Sequence, residues 1–185
     1  VSNYPQFAIG LGKTVLLDKS FNITGFQKIN EKGIFTELHE FQYLDDDTIV
    51  QIGSKSHKYG KQNVDSGIIS ILNQKNGTNF IWDSIDHVSP DSSIVPMKEW
   101  GMKSNDYFHM NAVRILSDGN YLASARHTQT IMKIDKLSGE IIWHMGKGSL
   151  NNFKFINDPY NGFSHQHAPE ELDNKNILIW DNGIG

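Results

Sequence analysis

The sequence predicts an all-β protein made of repeated four-stranded antiparallel sheets, arranged as the blades of a β-propeller. The first observation is a repeat. Three segments of equal length align without a gap, and they are 37–54, 109–126 and 165–182. Each begins with a polar-lined strand, turns after a leucine, and continues into a second apolar strand. Repeated supersecondary units of this kind are the signature of repeat folds.

A second set of segments supplies the other two strands of each sheet. Each contains two strand-like runs joined by a polar turn with Gly or Asn, and the second run carries an aromatic residue. These segments are 14–29 with Phe26, 69–85 with Trp82 and 130–145 with Trp143. Large aromatic side chains dominate packing between sheets, so we expect this aromatic column to lie in the core.

The start of the chain contains Gly10-Leu11-Gly12-Lys13-Thr14, which looks like the end of a phosphate-binding P-loop. That motif needs another glycine five places before Gly12, where Phe7 stands, and a helix after it. The next residues, Val15-Leu16-Leu17, are strand-like instead. The sequence therefore disfavours a nucleotide loop here.

The repeats predict that residues 1–185 are part of a single β-propeller domain. The sheets are expected near 14–35 (partial), 36–87, 108–145 and 164–185 (partial). Their spacing exceeds the ~40–50 residues of an ordinary blade, which predicts loop insertions at 54–67, 88–107 and 147–163.

These sheets add up to about three blades, whereas propellers have about four to eight. We therefore expect the chain to be a piece of a longer protein. The outer sheets would then present unpaired edges, and such edges favour self-association.

Composition excludes several classes of partner and site. The formal net charge is −4, so no large basic field favours nucleic acid or an anionic membrane. The chain has no cysteine, which excludes disulfides and thiolate metal sites. No apolar run approaches the roughly 20 residues of a membrane span.

The stretch 108–143 contains most of the unusual polar residues. His109 and Asn111 are two apart, so a strand there places both side chains on one face. Asp118-Gly119 is a two-residue hairpin signal, and counting outward from it pairs Asn111 with Arg126. We therefore expect these three side chains to point the same way. A bulge would break this register, and an exposed polar sheet face is the simpler alternative.

The gapless alignment adds residues from the other two segments. One column contains His39, Asn111 and His167, and another contains Glu37, His109 and His165. If the three segments are the first strands of successive sheets, each column lies at one height along a central channel. The columns therefore predict one site that draws residues from three sheets.

An ordered set of short motifs occupies 108–183. The set is Phe108-His109-Met110-Asn111, Gly119-Asn120-Tyr121-Leu122, Ser124-Ala125-Arg126-His127-Thr128, Ile134-Asp135, Ser138-Gly139-Glu140-Ile141-Ile142-Trp143, Gln166-His167 and Asp181-Asn182-Gly183. In this order, the motifs resemble the arylsulfotransferase (arylsulfate sulfotransferase) family, in particular its ASST-like branch. The similarity is weaker from His39 onward, and residues 1–35 add little.

The resemblance implies a six-bladed propeller that transfers a sulfuryl group between phenols without a nucleotide cofactor. It implies that His167, the histidine of the Gln-His motif, is the nucleophile and becomes transiently sulfated. His109, Asn111 and Arg126 would bind the sulfate oxygens, so that His167, Arg126 and His109 form the catalytic set.

Two further histidines complete the predicted site. His39 matches an earlier channel histidine of the family, although the pattern around it reads Leu38-His39-Glu40, and His165 is an extra histidine before the Gln-His pair. We assign both, with Asn111, to substrate binding. The implied partners are a small aryl sulfate and a phenol, with no cofactor and no metal. Related enzymes are often exported, which implies a periplasmic or extracellular location.

The chemistry of these residue types suits the reaction. A neutral imidazole is a good nucleophile at pH 7 and forms a labile N–S bond, which divides one difficult transfer into two steps. An arginine presents paired planar donors to an oxyanion. The remaining histidines lack support from the columns, and we expect ordinary surface or packing roles for His57, His87, His127 and His144.

Two other functions fit the sequence. The first is a non-catalytic propeller that uses its face as a binding platform, since a fold does not fix a function. The second is a metal- or quinone-dependent enzyme. His109, His165 and His167 are potential zinc ligands, and Asp135-x-x-Ser138-Gly139-x-x-x-Trp143 resembles the docking motif of quinoprotein propellers. An arginine beside a metal is electrostatically unfavourable, which counts against the zinc alternative.

Overall fold

The structure, a computed structural model, describes residues 12–44, 47–95 and 105–183. Within these ranges the chain forms four β-sheets and only two short 3₁₀ turns, Ser84–Asp86 and Pro90–Ser92. The predicted all-β class and the four-stranded antiparallel sheets are confirmed. No helix in this part of the chain is long and apolar enough to cross a membrane.

The first sheet pairs β1 (Thr14–Leu17) with β2 (Ile23–Gln27). Thr14 therefore enters a strand rather than a helix, as expected if no P-loop is present, while Gly10 and Leu11 lie outside the described residues. Phe26 is 52% exposed and lies under the Lys13 ammonium, whose Nζ is 3.6 Å from the ring centroid. The prediction that Phe26 packs in the core is wrong, because β2 has no sheet against its outer face among the described residues.

The second sheet contains β3 (Ile34–Tyr43), β4 (Thr48–Tyr59), β5 (Gln62–Asn73) and β6 (Asn79–Asp83) in that order. The loop insertion predicted at 54–67 is wrong, because β4 and β5 continue through it as one long hairpin that turns at Gly60, with φ +58°. A two-residue strand, β7 (Asn105–Asp106), runs parallel to β5. It is an exception to the antiparallel pairing expected throughout.

The third sheet contains β8 (Met110–Ile115), β9 (Tyr121–Ala125), β10 (Thr130–Ile134) and β11 (Ile141–Gly146), all antiparallel and in sequence order. The fourth pairs β12 (His167–Glu171) with β13 (Ile177–Trp180). The stretch 147–163 has no helix or strand, as predicted, and 88–107 has only the second 3₁₀ turn and β7 among its described residues.

Two apolar clusters join these sheets. The larger lies between the second and third sheets, and includes Ile69, Trp82, Val113 and Met132. The smaller lies between the third and fourth sheets, where Trp143 and Ile177 pack against Leu122 and its neighbours. Core packing is thus confirmed for two members of the aromatic column.

Trp82 also marks how one sheet docks on the next. It is 2% exposed, and its Nε1 donates a 2.9 Å hydrogen bond to the Gly139 carbonyl in the turn between β10 and β11. The Asp135 carboxylate shapes that turn by accepting from the Ser138 amide at 2.8 Å. The Asp-x-x-Ser-Gly motif therefore serves here as a structural docking turn.

The first strands of the second, third and fourth sheets lie side by side. Gln42 of β3 donates to the Val113 carbonyl of β8 at 2.8 Å, and Glu40 forms an ion pair with Arg114. At the other side, the Ser117 amide after β8 donates to Glu171 of β12 at 2.8 Å. Residues at equivalent positions of these strands are thereby brought together.

The hairpin between β8 and β9 differs from the prediction. Leu116 and Asn120 pair across a three-residue loop, and Gly119 takes the left-handed conformation with φ +84°. Three-residue hairpins of this type place a glycine at that position. The predicted pairing of Asn111 with Arg126 is wrong, because the longer loop and a β-bulge at Asn111 shift the register, so that the Arg126 amide donates to the His109 carbonyl at 3.0 Å.

All three neighbouring first strands are bulged where they carry the candidate residues. The register shifts between Thr36 and Phe41 in β3, between Met110 and Ala112 in β8, and after His167 in β12. Bulges redirect side chains and are frequent beside functional sites. The residues inside the irregularities, 37–40, 111 and 168–169, all fall near the start of the sequence repeat.

Candidate active site

The three imidazoles of His39, His109 and His167 converge from three different sheets. The ring centroids of His39 and His109 are 5.4 Å apart, and those of His39 and His167 are 6.1 Å apart. The Arg126 backbone is tied to His109 by a 3.0 Å hydrogen bond, and its guanidinium lies close enough for its charge to act on His39, His165 and His167. The structure therefore brings together the residues that the two alignment columns select.

His39 and His109 both rest on carboxylates. The His39 Nδ1 lies 2.8 Å from both oxygens of Glu37, and this hydrogen bond raises the pKa of His39 despite its partial burial. His109 donates through Nδ1 to the carboxylate of Asp106, which also accepts from the His109 amide at 2.8 Å. In both residues Nε2 has no hydrogen-bond partner among the described residues.

His167 rests on a carbonyl instead. Its Nδ1 is 3.0 Å from the His165 carbonyl oxygen and 3.3 Å from the Asn182 amide nitrogen. The shorter contact is to a group that only accepts, which favours the tautomer with the proton on Nδ1 and a lone pair on Nε2. Burial lowers the pKa of His167, and the positive charges of His39, Arg126 and His109 lower it further, against the hydrogen bond to His165. The ring is thus a neutral imidazole at pH 7.

The segment that presents His167 is fixed by buried amides. Gln166 is fully buried and donates to the carbonyls of Ala125 and Thr130 at 3.0 and 2.8 Å. Asn111 is 4% exposed, and its Nδ2 donates to the Gln166 carbonyl at 2.8 Å. Asn111 therefore orients the main chain before His167, where the sequence predicted a contact with substrate.

Arg126 has an unpaired guanidinium. Its backbone is tied to His109, but its side chain forms no hydrogen bond or ion pair with any described residue. Partial burial lowers the pKa of Arg126, and the Asp106 carboxylate raises it. A half-buried guanidinium without a carboxylate presents its fork of donors to an incoming anion.

His165 contributes mainly through its backbone. Its Nδ1 is buried without a hydrogen-bond partner in the described part of the chain, and burial, followed by the charge of Arg126, lowers the pKa of His165. His109 and His165 occupy the same alignment column and share the left-handed conformation, with φ +51° and +52°. Such strain in non-glycine residues is retained where the surrounding structure fixes it, commonly at functional sites.

A small cavity that opens to solvent adjoins one side of the cluster. Its lining includes Glu37, Ser54, Ser66, Asp106 and His109. Gly67 of β5 also borders it, and a Cβ there would lie 2.7 Å from Phe108, so the absence of a side chain lets β5 approach the segment before β8. Arg126 and His167 are not part of this lining.

The zinc alternative gains no support from the geometry. Within the described ranges, the group whose potential ligand atoms all lie within 4.8 Å is Asp106, His109 and His127, and not the predicted set with His165 and His167. Both Nδ1 atoms of this group are hydrogen-bonded to oxygens of Asp106, His109 to the carboxylate and His127 to the carbonyl at 2.6 Å. These nitrogens therefore carry protons, which is the arrangement of a hydrogen-bond network.

Sequence reasoning missed four residues around the site. Glu37 and Asp106 anchor imidazoles, Gln166 locks the His167 segment, and His127 is buried beside His109 rather than being an ordinary packing residue. The one available signal was the place of Glu37 in the same column as His109. The other histidines have their contacts elsewhere, His57 with Asp83 at 2.9 Å and His87 stacked on Trp82.

The protein is thus all-β, with three anchored imidazoles and a guanidinium that has no partner among the described residues clustered between its sheets. The comparison with known families identifies the particular family. The family model described as Arylsulfotransferase (ASST) matches residues 19–185, and the chain belongs to this family. Searches of curated proteins and of solved structures found no match.

Proposed function

We propose that this chain forms part of a β-propeller enzyme that transfers a sulfuryl group from an aryl sulfate to a phenol through a sulfohistidine at His167. The observation that carries the proposal is the neutral His167 ring, whose Nδ1 lies 3.0 Å from a carbonyl and whose Nε2 has no partner among the described residues, close enough to Arg126 for its charge to act on the ring. The family membership supports the reaction class. No nucleotide cofactor is required.

The sulfate ester binds in the field of Arg126 and the two carboxylate-backed imidazoles. A sulfate monoester carries one negative charge spread over three oxygens, and Arg126 supplies a forked pair of donors for two of them. The His39 and His109 rings lie 5.4 Å apart, and the raised pKa of His39 favours its protonated, donating form. These groups stabilise the charge that develops as the ester bond breaks.

The transfer divides into two displacements at sulfur. In the first, the lone pair of His167 Nε2 forms an N–S bond while the S–O bond to the ring breaks and its electron pair leaves with the phenolate. A protonated imidazole, His109 or His39, gives the phenolate its proton. In the second, the acceptor phenol loses its proton to that same imidazole as its oxygen attacks sulfur, and the N–S electron pair returns to Nε2. Ping-pong kinetics follow from this sequence.

The propeller arrangement is supported by the adjacency of the first strands. β3, β8 and β12 lie side by side, and each is followed by its own hairpin, which is the order of inner strands around a propeller channel. We propose that the four sheets are blades, partial at 14–35 and 164–185, of one six-bladed domain.

The decisive experiment is incubation with 4-nitrophenyl sulfate alone, followed by peptide mass spectrometry. We expect one added sulfuryl group on the peptide that contains His167 and a burst of nitrophenolate. His167→Ala should abolish both signals, whereas the matched control His87→Ala, which removes a histidine stacked on Trp82 away from the site, should retain them. Transfer without modification of that peptide would contradict the covalent mechanism.

A second candidate function is binding of sulfate esters without turnover, as a non-catalytic platform. The cavity described above favours it, because its lining does not reach Arg126 or His167. The same experiment separates the two functions, since a platform protein binds the ester and releases no phenolate.

A further inference from the structure

His127 connects the two segments that carry Arg126 and His109. It follows Arg126 in the turn between β9 and β10, and its amide donates to the Phe108 carbonyl at 3.2 Å. Its own carbonyl accepts from the Ile94 amide at 2.9 Å. The residue is only 6% exposed, so its side chain belongs to the interior behind the site.

The His127 ring donates one well-defined hydrogen bond. Nδ1 lies 2.6 Å from the Asp106 carbonyl oxygen, and since a carbonyl only accepts, the ring carries its proton on Nδ1. Burial lowers the pKa of His127 to about 4, which the charges of His109 and Arg126 favour and that of Asp106 opposes. The ring is therefore uncharged at neutral pH and adds no positive charge against His109.

Asp106 is consequently fixed at both ends. His127 binds its carbonyl, while its carboxylate accepts from the amide and from Nδ1 of His109. The His127 and His109 rings also stack, with centroids 4.6 Å apart and planes 28° apart. Two contacts, one direct and one through Asp106, thus determine the plane of the His109 imidazole.

The residues after Asp106 are anchored separately, because Tyr107 and Phe108 are 1% and 0% exposed and the Tyr107 hydroxyl donates to the Val88 carbonyl at 3.0 Å. Asp106 ends the two-residue strand β7, which has only two paired positions with β5. His109 follows in the left-handed conformation, with φ +51°, which non-glycine residues adopt at a cost. The 2.6 Å hydrogen bond from the buried His127 ring is the side-chain contact that acts on the Asp106 peptide itself, next to the β5 pairing.

We propose that His127 is a positioning residue of the sulfuryl-transfer site, which fixes the Asp106 peptide by its Nδ1 hydrogen bond and thereby aims the His109 imidazole. Its kinetic consequence rests on the proposed function, whereas the effect on His109 does not. In this proposal the hydrogen bond is sufficient to position His109, whereas the stacked ring alone is not.

Two substitutions separate the hydrogen bond from the ring. His127→Asn places an amide nitrogen near the position of Nδ1 and removes the stacked ring. His127→Phe keeps the ring and removes the donor. We expect the Asn variant to retain kcat within about threefold and the Phe variant to lose about 10- to 100-fold in kcat with little change in KM for the aryl sulfate, because misaimed catalytic groups cost about that much. The control His87→Phe should behave as the unmodified chain.

A spectroscopic readout tests the same point without turnover. Protein with ¹⁵N-labelled histidine should show a far-downfield imidazole proton from the Nδ1 of His109 on Asp106, assigned by its loss in His109→Gln. We expect this signal in the Asn variant and its loss or large displacement in the Phe variant. If the unmodified chain transfers no sulfuryl group, the proposed function fails, and this signal still decides the role of His127.

The proposal is overturned if His127→Phe keeps both the downfield proton and its kcat within about threefold, since the ring would then be the part that matters. If the Phe variant does not fold, the Asn variant decides alone. Retention of the downfield proton there supports the hydrogen-bond role, and its loss overturns it.

Discussion

Two halves of the candidate site use the same side chain with different supports. On the β3 and β8 side, His39 and His109 rest on the carboxylates of Glu37 and Asp106. On the β12 side, His167 rests on the carbonyl of His165. The pKa of His39 is raised, mainly by its hydrogen bond to Glu37, whereas the pKa of His167 is lowered, mainly by burial.

The difference shows how a protein assigns opposite duties to one residue type. A carboxylate stabilises the imidazolium, so the residue becomes a cation that binds an anion or gives a proton. A neutral carbonyl fixes the tautomer without stabilising the positive charge. Burial then lowers the pKa of the imidazole, and the ring stays neutral. His127, also on a carbonyl and also buried, follows the second pattern with a pKa of about 4.

The largest effect is expected at Arg126, which serves both halves. Arg126→Met removes the unpaired guanidinium with little change in volume. We expect kcat/KM for 4-nitrophenyl sulfate to fall about 10²- to 10³-fold, the range found when one donor to a developing charge is lost. Arg126→Lys should recover only part of this, because an ammonium lacks the planar fork. Steady-state kinetics would measure both effects. If kcat/KM of Arg126→Met equals that of the unmodified chain, Arg126 does not take part in the reaction.

A smaller effect is expected at Asn111, which supports the carbonyl-backed half. Asn111→Ala removes the 2.8 Å donor to the Gln166 carbonyl and leaves it only the weaker 3.4 Å contact from the Ser124 hydroxyl, at a cost of about 0.5–1.5 kcal/mol of stability. We expect kcat to fall about tenfold while KM for the donor stays nearly constant, since His167 is then less well aimed. A rise in KM at constant kcat would instead support a direct contact between Asn111 and the substrate, as the sequence predicted.

The pH profile of kcat/KM should reflect both the carboxylate-supported His39 and the carbonyl-supported His167. The neutral form of His167 is lost as pH falls through its lowered pKa, which gives an acid limb below pH 6.5. The protonated form of His39 is lost as pH rises through its raised pKa, which gives an alkaline limb above pH 6.5. The stabilising His39–Glu37 pair is likewise complete below pH 6.5 and lost as pH rises through that raised pKa.

Glu37→Gln sharpens this prediction, because it removes the carboxylate and leaves a neutral partner. Only the alkaline limb should move to lower pH, while the acid limb of His167 stays in place. Rates measured across pH 5–9 in the variant and the unmodified chain would show the shift. Movement of both limbs together would contradict the separate assignment of the two halves.

The smallest effect is expected away from both halves, at the docking contact of Trp82. Trp82→Phe removes the 2.9 Å hydrogen bond to Gly139 and keeps most of the apolar contact. We expect a loss of about 1–2 kcal/mol in the free energy of unfolding, with no change in kcat per folded molecule. Chemical denaturation would measure the first, and a reduced kcat would show that the sheet packing reaches the site.

The sequence was sufficient for the strand-rich fold and for the cluster of histidines. The gapless repeat places His39 and His167 in one column and His109 in the column two residues before it, and such positions meet in space when the repeated units pack side by side. Trp82 and Trp143 were also predicted correctly as core residues. These inferences depend on periodicity, which is local and easy to read.

What failed depends on backbone detail and on long-range partners. Asp118-Gly119 indicates a hairpin, but the choice between a two- and a three-residue loop is made by the packing of the strands, and one residue changes every pairing. The bulge at Asn111 has no sequence signal of its own. Asp106 and Gln166 reach the site through contacts that only the folded chain brings together, such as the 2.8 Å bond between Gln166 and the Thr130 carbonyl.

The recurrence of the bulge in three first strands bears on how such sites arise and can be redesigned. When a hairpin that contains the bulge is duplicated, the copy already has a mount, meaning a backbone position that directs one side chain toward the centre. New chemistry then needs a change of residue at that mount, and neither the length of the strand nor its partners have to change. His39, His109 and His167 each lie within or next to such an irregularity, and the same scaffold offers an engineer three addressable positions around one centre.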